Sequence, residues 1–162
     1  MIITGYQGIG KTTLSDQSLD VIDLESTSFW KVDEGGNKSR PDDWYIYYCQ
    51  VAQDLSKQGY IVFVSCHQQV RDYLGMHSSE KFCAIFPSIT LKEKWLEKLK
   101  NRYLLSNSEK DLRAYEHAKS FYDSDIYRLW CECRYNVKYY HSIIVIDDID
   151  YDLQLLVNKL LK

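Results

Sequence analysis

The chain is expected to fold as an α/β protein, a five-stranded parallel sheet with helices on both faces, in one domain over residues 1–162. Three observations carry that expectation. Short apolar, β-branched runs alternate along the chain with amphipathic helical stretches, the pattern of consecutive β–α units joined by right-handed crossovers. Within the strongest runs odd and even positions are both apolar, so their strands are covered on both faces. Residues 5–12 read G-Y-Q-G-I-G-K-T, a full match to G-x-x-x-x-G-K-[ST], set between the first apolar run and the first helical stretch.

Taken in order, Met1-Ile2-Ile3-Thr4 makes a buried first strand, and Lys11-Thr12-Thr13-Leu14 opens the first helix. Val21, Ile22 and Leu24 make a short second strand, ending among Asp23, Glu25 and Ser26. Residues 31–41 are polar, contain Gly35-Gly36 and end at Pro41, which reads as a mobile loop. Asp42 or Asp43 can cap a helix running to about Lys57, with Ile46, Tyr47, Val51 and Leu55 inward and Gly59 as its stop. Tyr60-Ile61-Val62-Phe63-Val64 is the strongest strand pattern and is expected at the sheet centre, feeding a helix from about Gln68 to Leu74. Phe82-Cys83-Ala84-Ile85-Phe86 is a fourth strand, ended by Pro87. Thr90-x-x-Glu93 has the form of a capping box opening a basic helix through Arg102, within a segment 92–108 read as a lid. Residues 108–134 read as helix, in one piece or two. Ile143-Ile144-Val145-Ile146 is the fifth strand, and Leu153, Leu156, Val157 and Leu160 line the closing helix.

The glycine-rich loop has a mechanical task at each fixed position. Its glycines let the backbone curl until the N–H groups of Gly5, Tyr6, Gln7, Gly8, Ile9, Gly10, Lys11, Thr12 and Thr13 surround phosphate oxygens. Lys11 reaches the β- and γ-phosphates, and the Thr12 hydroxyl is the expected ligand of Mg²⁺. The motif therefore calls for a nucleoside triphosphate.

Composition narrows the classes. Apolar residues at 45% and charged residues at 27% are ordinary globular values, and 162 residues suffice for a core without staples. Fourteen tyrosines and four tryptophans point to an aromatic core, or to a base-stacking cleft. A net charge of −3 without a basic stripe argues against a dedicated nucleic-acid partner. Cys49, Cys66, Cys83, Cys131 and Cys133 form neither a disulfide framework nor a zinc-finger spacing, so buried thiols are expected. No membrane-length apolar run occurs, and a motif beginning at residue 5 leaves no room for a signal peptide. A cytoplasmic location and a monomer or small homo-oligomer follow as expectations.

In a parallel α/β sheet, ligands bind beyond the carboxyl ends of the strands. That rule selects Asp23 and Glu25 after the second strand, Ser65 to His67 after the third, and Ser88 after the fourth. Phosphoryl transfer needs positioning and charge neutralisation, for which arginine's planar fork is suited. Arg40, Arg71 and Arg102 are the candidates, with Arg71 closest to a strand end; each can also be read as a solvated surface charge. Asp23 suits a general base for a hydroxyl acceptor, water-mediated support of Mg²⁺, or a plain turn. His67 is read beside the acceptor or as an ordinary first residue of a helix. Asp147-Asp148 has the form of a Walker B acid but follows the last strand, and is read as a turn.

On G-Y-Q-G-I-G-K-T-T, Ile22-Asp23-Leu24-Glu25-Ser26, the segment from Val64 to Arg71, and Trp95-Leu96-x-x-Leu99-x-x-Arg102, the chain resembles the P-loop nucleoside and nucleotide kinases. It is also similar in layout to small kinase-like proteins encoded by bacteriophages. The resemblance implies a three-layer P-loop NTPase fold with ATP and Mg²⁺ as cofactors. It implies phosphoryl transfer to a nucleoside monophosphate, a deoxynucleotide foremost. Lys11, Asp23, Arg71 and Arg102 would serve catalysis, and Asp23, Glu25, Arg40, His67 and Arg71 would hold the acceptor. A kinase of a nucleoside or small-metabolite hydroxyl with Asp23 as base is the alternative, as is a non-catalytic nucleotide-binding module. The third strand ends in Val64-Ser65-Cys66, where many nucleotide kinases carry an acid, and the lid helix has Arg102 alone among lysines.

Overall fold

The five apolar runs pair as their patterning requires. In the computed structural model, which describes residues 1–135 and 139–162, β1 (Ile2–Gly5) lies at the centre of the sheet. It is flanked by β5 (Ile61–Val64) and β6 (Phe82–Pro87), while β2 (Val21–Asp23) and β7 (Ser142–Ile146) form the edges. Every neighbouring pair is parallel, in the order β2-β5-β1-β6-β7. The most apolar strands are the buried ones: β1 and β6 are buried throughout, Thr4 included, and β5 at Val62, Phe63 and Val64. Each Val, Ile or Phe side chain among them removed from water contributes about 1.5–3 kcal/mol, so these three strands anchor the fold.

Helices α1 (Lys11–Gln17), α2 (Trp44–Lys57), α3 (Gln68–His77), α4 (Lys92–Ser106), α5 (Glu109–Tyr135) and α6 (Leu153–Leu161) connect and cover the strands. Several local expectations are corrected. The segment 31–41 carries a small antiparallel hairpin, β3 (Lys31–Val32) with β4 (Lys38–Ser39), closed by Asp33, which accepts from the Gly36 and Asn37 N–H groups. Asp43 takes the N-cap position of α2 without a side-chain cap bond. The capping box at Thr90 does not form. Thr90 sits in a 3₁₀ turn, Ile89–Leu91, with its hydroxyl 2.6 Å from Ser88 Oγ, so Leu91 becomes the N-cap of α4. Residues 109–135 form one helix, about 40 Å long at 1.5 Å per residue. No Gly or Pro interrupts it, and Ala118, Tyr122, Ile126 and Leu129 give it one continuous buried stripe.

Two placements matter for the site. Helix α4 is docked on the glycine-rich loop, with Trp95 and Leu99 fully buried. Helix α5 runs across the carboxyl ends of the strands, touching a residue beyond β1, β2, β5 and β6 in turn. Among the described residues, no helix is long and apolar enough to cross a membrane.

Candidate functional site

The loop at residues 5–12 leaves β1 at the sheet centre and is fixed from both sides. Tyr6 and Ile9, at variable positions of the motif, are buried. Tyr6 packs edge-on against Tyr122 of α5 at a centroid distance of 5.8 Å and tilted against Trp95 at 6.5 Å. Trp95 Nε1 donates to the Gln7 carbonyl at 3.0 Å. Gly8 and Gly10 have φ of +86° and +96°, a region costly for any side chain. A Cβ on Gly8 would also stand 2.8 Å from Leu99 Cδ2, so α4 itself demands glycine there.

Lys11 folds back over the loop. Its Nζ donates to Gly5 O at 2.8 Å and Tyr6 O at 3.5 Å, and among the described residues it forms no ion pair. Burial holds its ammonium below the usual lysine range, with Asp23 opposing that shift. A partly buried cation satisfied only by carbonyls fits a site made to receive negative charge.

Beside it, Thr12 and Asp23 meet across the α1–β2 junction. Thr12 Oγ1 donates to Asp23 Oδ2 at 2.7 Å. Ser15, one turn after Thr12, holds the strand that carries Asp23: its hydroxyl donates to Val21 O at 3.0 Å and accepts the Asp23 N–H at 3.3 Å. Buried Tyr48 of α2 ties the next pair of strand ends together, donating to Leu24 O at 2.7 Å and accepting the Ser65 N–H at 2.9 Å. Neither Ser15 nor Tyr48 stood out in the sequence, since a serine one turn into a helix and a tyrosine on an apolar face are common.

The three candidate arginines divide sharply. Arg71 is 3% exposed, and its Nε and Nη2 grip the Glu132 carboxylate of α5 at 2.7 Å each. Its Nη1 donates to the Cys66 carbonyl, and the Tyr140 hydroxyl approaches Glu132 at 3.4 Å. This guanidinium is a strut between α3 and α5, not a free acceptor group at a strand end. Arg102 pairs with Asp111 at 2.8 Å and locks α4 to the start of α5. Arg40 alone has no carboxylate partner among the described residues. Its guanidinium lies 4.1 Å from the Trp44 ring centroid and 5.0 Å from that of Trp30. Its Nη1 contacts His67 Nε2 at 3.0 Å and its Nη2 donates to Ser26 Oγ at 3.3 Å. Arg40 Nε and Trp30 Nε1 are buried without an acceptor, as is Gln7 Nε2 in the glycine-rich loop.

His67 completes this cluster. Its Nδ1 lies 2.9 Å from Ser65 Oγ and its ring stands edge-on to Trp44. Desolvation, with Arg40 and other cations nearby, holds its pKa down to about 4. A neutral ring with Nε2 free to accept is what the Arg40 contact requires.

Helix α5 forms the roof. Lys110 pairs with Glu25, His117 lies 2.9 Å from Asp125, Tyr6 donates to Asp125 at 3.5 Å, and Glu132 holds Arg71. The polar positions 110, 117, 125 and 132 follow one another at seven or eight residues, about two turns, so they share a face. Glu25 is thus drawn into an ion pair with the roof rather than left facing an acceptor. Asp147-Asp148 lies two strands from β1, exposed, with Asp148 accepting the Asp150 N–H at 3.1 Å; it makes a turn. All five cysteines are free, and Cys49 and Cys83 are buried. Among the described residues, no three His, Cys, Asp or Glu side chains gather into a preformed metal cage.

Neither a family model nor a curated protein matches the sequence. Among solved structures, an uncharacterized protein from Eubacterium ventriosum ATCC 27560 is similar over 98% of this chain and 96% of its own, at a TM-score of 0.47 and 10% identity.

Proposed function

We propose that this chain is a P-loop phosphotransferase of the nucleotide-kinase type, using ATP and Mg²⁺ and acting on a nucleoside monophosphate, foremost a deoxynucleotide. The observation that carries the reading is the juxtaposition at the end of β1: a curled G-x-x-x-x-G-K-T loop, a Lys11 ammonium satisfied only by carbonyls, and a Thr12 hydroxyl 2.7 Å from Asp23. These groups fit a magnesium nucleotide. Mg²⁺ keeps most of its waters and takes few protein oxygens, so Thr12 with Asp23 behind it is a sufficient donor set. Asp23 then fills the supporting place that the non-acidic end of β5 leaves vacant. When bound, the magnesium nucleotide supplies the phosphoryl group and part of the neutralising charge. Lys11 would neutralise phosphate oxygens, and the loop's N–H groups would orient them.

On the acceptor side the reading shifts from Arg71 to Arg40. Arg71 and Arg102 are matched by carboxylates, whereas Arg40 has no carboxylate partner among the described residues and keeps its charge over the ends of β2 and β5. A second reading is favoured by the same Asp23 contact. One free arginine is a thin grip for a phosphate, and a carboxylate beside Thr12 is placed to take a proton from a hydroxyl acceptor.

Phosphoryl transfer from ATP to monophosphates, nucleosides and small alcohols, followed by ADP release, tests both. Lys11→Ala should abolish transfer while leaving the circular dichroism spectrum unchanged. A larger loss in Arg40→Ala than in Asp23→Asn, with binding of ATP alone preserved, supports the monophosphate; the reverse order supports the hydroxyl. Tight ATP binding with no transfer to any acceptor would instead make the chain a nucleotide-binding module.

A further inference from the structure

A hydroxyl gives up its proton when its oxygen attacks phosphorus, and a base within hydrogen-bond reach takes it. Asp23 accepts from Thr12 Oγ1 at 2.7 Å, and where it stays behind Thr12 and Mg²⁺ the proton needs another base. His67 is committed too, with Nε2 on Arg40 at 3.0 Å and Nδ1 on Ser65 Oγ at 2.9 Å. His117 of α5 is not.

His117 stands on the roof between Lys110, which pairs with Glu25 after β2, and Asp125, which meets Tyr6 of the glycine-rich loop. Its Nε2 lies 2.9 Å from Asp125 Oδ2, the oxygen that the Tyr6 hydroxyl approaches at 3.5 Å. A carboxylate only accepts, so Nε2 carries the ring proton and Nδ1 keeps a lone pair. Among the described residues nothing bonds Nδ1. The ring packs against Phe121 at a centroid distance of 5.1 Å, and the side chain is 50% exposed, so solvent and a solute can reach it. His117 is also among the charges that hold the His67 pKa down, which makes the two rings neighbours. The ring is thus tied to the loop through Asp125 and Tyr6, and it stands near the Arg40–His67 cluster.

We propose that His117, oriented by Asp125, is the general base that takes the proton of a hydroxyl acceptor. The inference rests on the phosphotransferase reading above, in its second form with a hydroxyl acceptor. His117 Nδ1 takes the hydroxyl proton while the acceptor oxygen bonds to the γ-phosphorus of ATP and the bond from that phosphorus to the departing ADP oxygen breaks. Asp125 stabilises the imidazolium until solvent removes the proton. A carboxylate behind the far nitrogen fixes the tautomer and the direction of the ring, which is what a histidine base requires. Asp125 is therefore a positioning residue, and Tyr6 couples its place to the loop that would hold the phosphates.

The test is His117→Ala, assayed with ATP against nucleosides and small alcohols. The ring is half exposed, so the variant should keep the native circular dichroism spectrum and native ATP binding. Transfer should fall about a hundredfold to ten-thousandfold. Free imidazole added to the assay should restore part of it in proportion to concentration, which the loss of a merely structural ring would not allow. A second measurement needs no turnover. Nitrogen NMR of the ligand-free chain, above the ordinary histidine range, should show the Nε2–H tautomer for the signal that His117→Ala removes. Native rates in His117→Ala, a loss that imidazole does not repair, or an Nδ1–H ring would each overturn the base and leave the phosphotransferase reading standing. So would a native chain that transfers to monophosphates alone. A chain that binds ATP and transfers to no acceptor would remove both.

Discussion

Arg40 and Arg71 both stand beyond the carboxyl ends of β2 and β5, yet they are neutralised in opposite ways. Arg71 is inside the protein and its charge is cancelled by a bidentate carboxylate, two further hydrogen-bonding groups completing the shell. Arg40 is held by two indole faces, a neutral imidazole and a hydroxyl, none of which carries a negative charge. Position along the chain favoured Arg71 as the ligand group, but accounting for charge favours Arg40. An arginine matched by a carboxylate is a structural tie, whereas one oriented by neutral partners keeps its field for something arriving from solution.

The comparison is broken most severely at Glu132. Glu132→Leu leaves the Arg71 guanidinium buried without a counter-charge, which costs about 3–5 kcal/mol. Urea unfolding should show that loss as a lower midpoint. The double variant Arg71→Met with Glu132→Leu should recover most of it, because the charge leaves with its partner. A single variant as stable as the native chain would mean that Arg71 is solvated after all.

Arg40→Ala should cost little in the same unfolding experiment, about 1 kcal/mol, since it gives up half-buried cation–π contacts and neutral hydrogen bonds. On the proposed function its effect falls on the acceptor. A charged hydrogen-bonding group facing a phosphate contributes about 1.5–3 kcal/mol, so the acceptor KM should rise about tenfold to a hundredfold while the KM for ATP is unchanged. Equal changes in both KM values would place Arg40 in the general framework and not at the acceptor.

Ser15→Ala lies between the two arginines in kind, a positional role with a small energy. Losing one hydroxyl that serves Val21 C=O and Asp23 N–H costs about 1–2 kcal/mol. It should also lower kcat more than it raises either KM, because Asp23 is then no longer fixed against Thr12. A kcat equal to that of the native chain would show that β2 holds Asp23 without help.

The geometry of the glycine-rich loop was legible in the sequence because its requirements are local. Gly8 and Gly10 supply the left-handed backbone, Lys11 and Thr12 follow at fixed spacing, and the apolar run before them gives the strand. The strands of the sheet were legible for the same reason, since two-sided burial is written in consecutive residues such as Val62, Phe63 and Val64. The surroundings of Arg40 and Arg71 depend on pairs far apart in the chain. Arg71 meets Glu132 across 61 residues and Arg40 meets His67 across 27, and nothing near either arginine tells which one is matched. The polar face of α5 carried a faint signal in the spacing of Lys110, His117, Asp125 and Glu132, beside the apolar positions that begin at Ala118.

The smallest effect is a pH dependence confined to the Arg40 cluster. In the unfolded chain His67 titrates near the ordinary 6.5, while the folded chain holds it down to about 4. The unfolded state therefore takes up the proton first, and stability falls as pH drops from about 6.5 toward 4, then levels off. Above 6.5 the group contributes no pH dependence. Protonation makes Nε2 a donor facing the Arg40 guanidinium, so the contact that orients Arg40 becomes a repulsion and the Trp44 environment changes with it. Tryptophan emission of the native chain should be flat from pH 8 to about 6 and then change with a midpoint near 4. Carboxylates titrate in the same range, so His67→Gln is the necessary control. An amide oriented toward Arg40 accepts without titrating, and this variant should lose the Trp44 transition while keeping Arg40 in place. A midpoint unaltered by His67→Gln would assign the transition to neighbouring carboxylates and leave Arg40 oriented by its indoles alone.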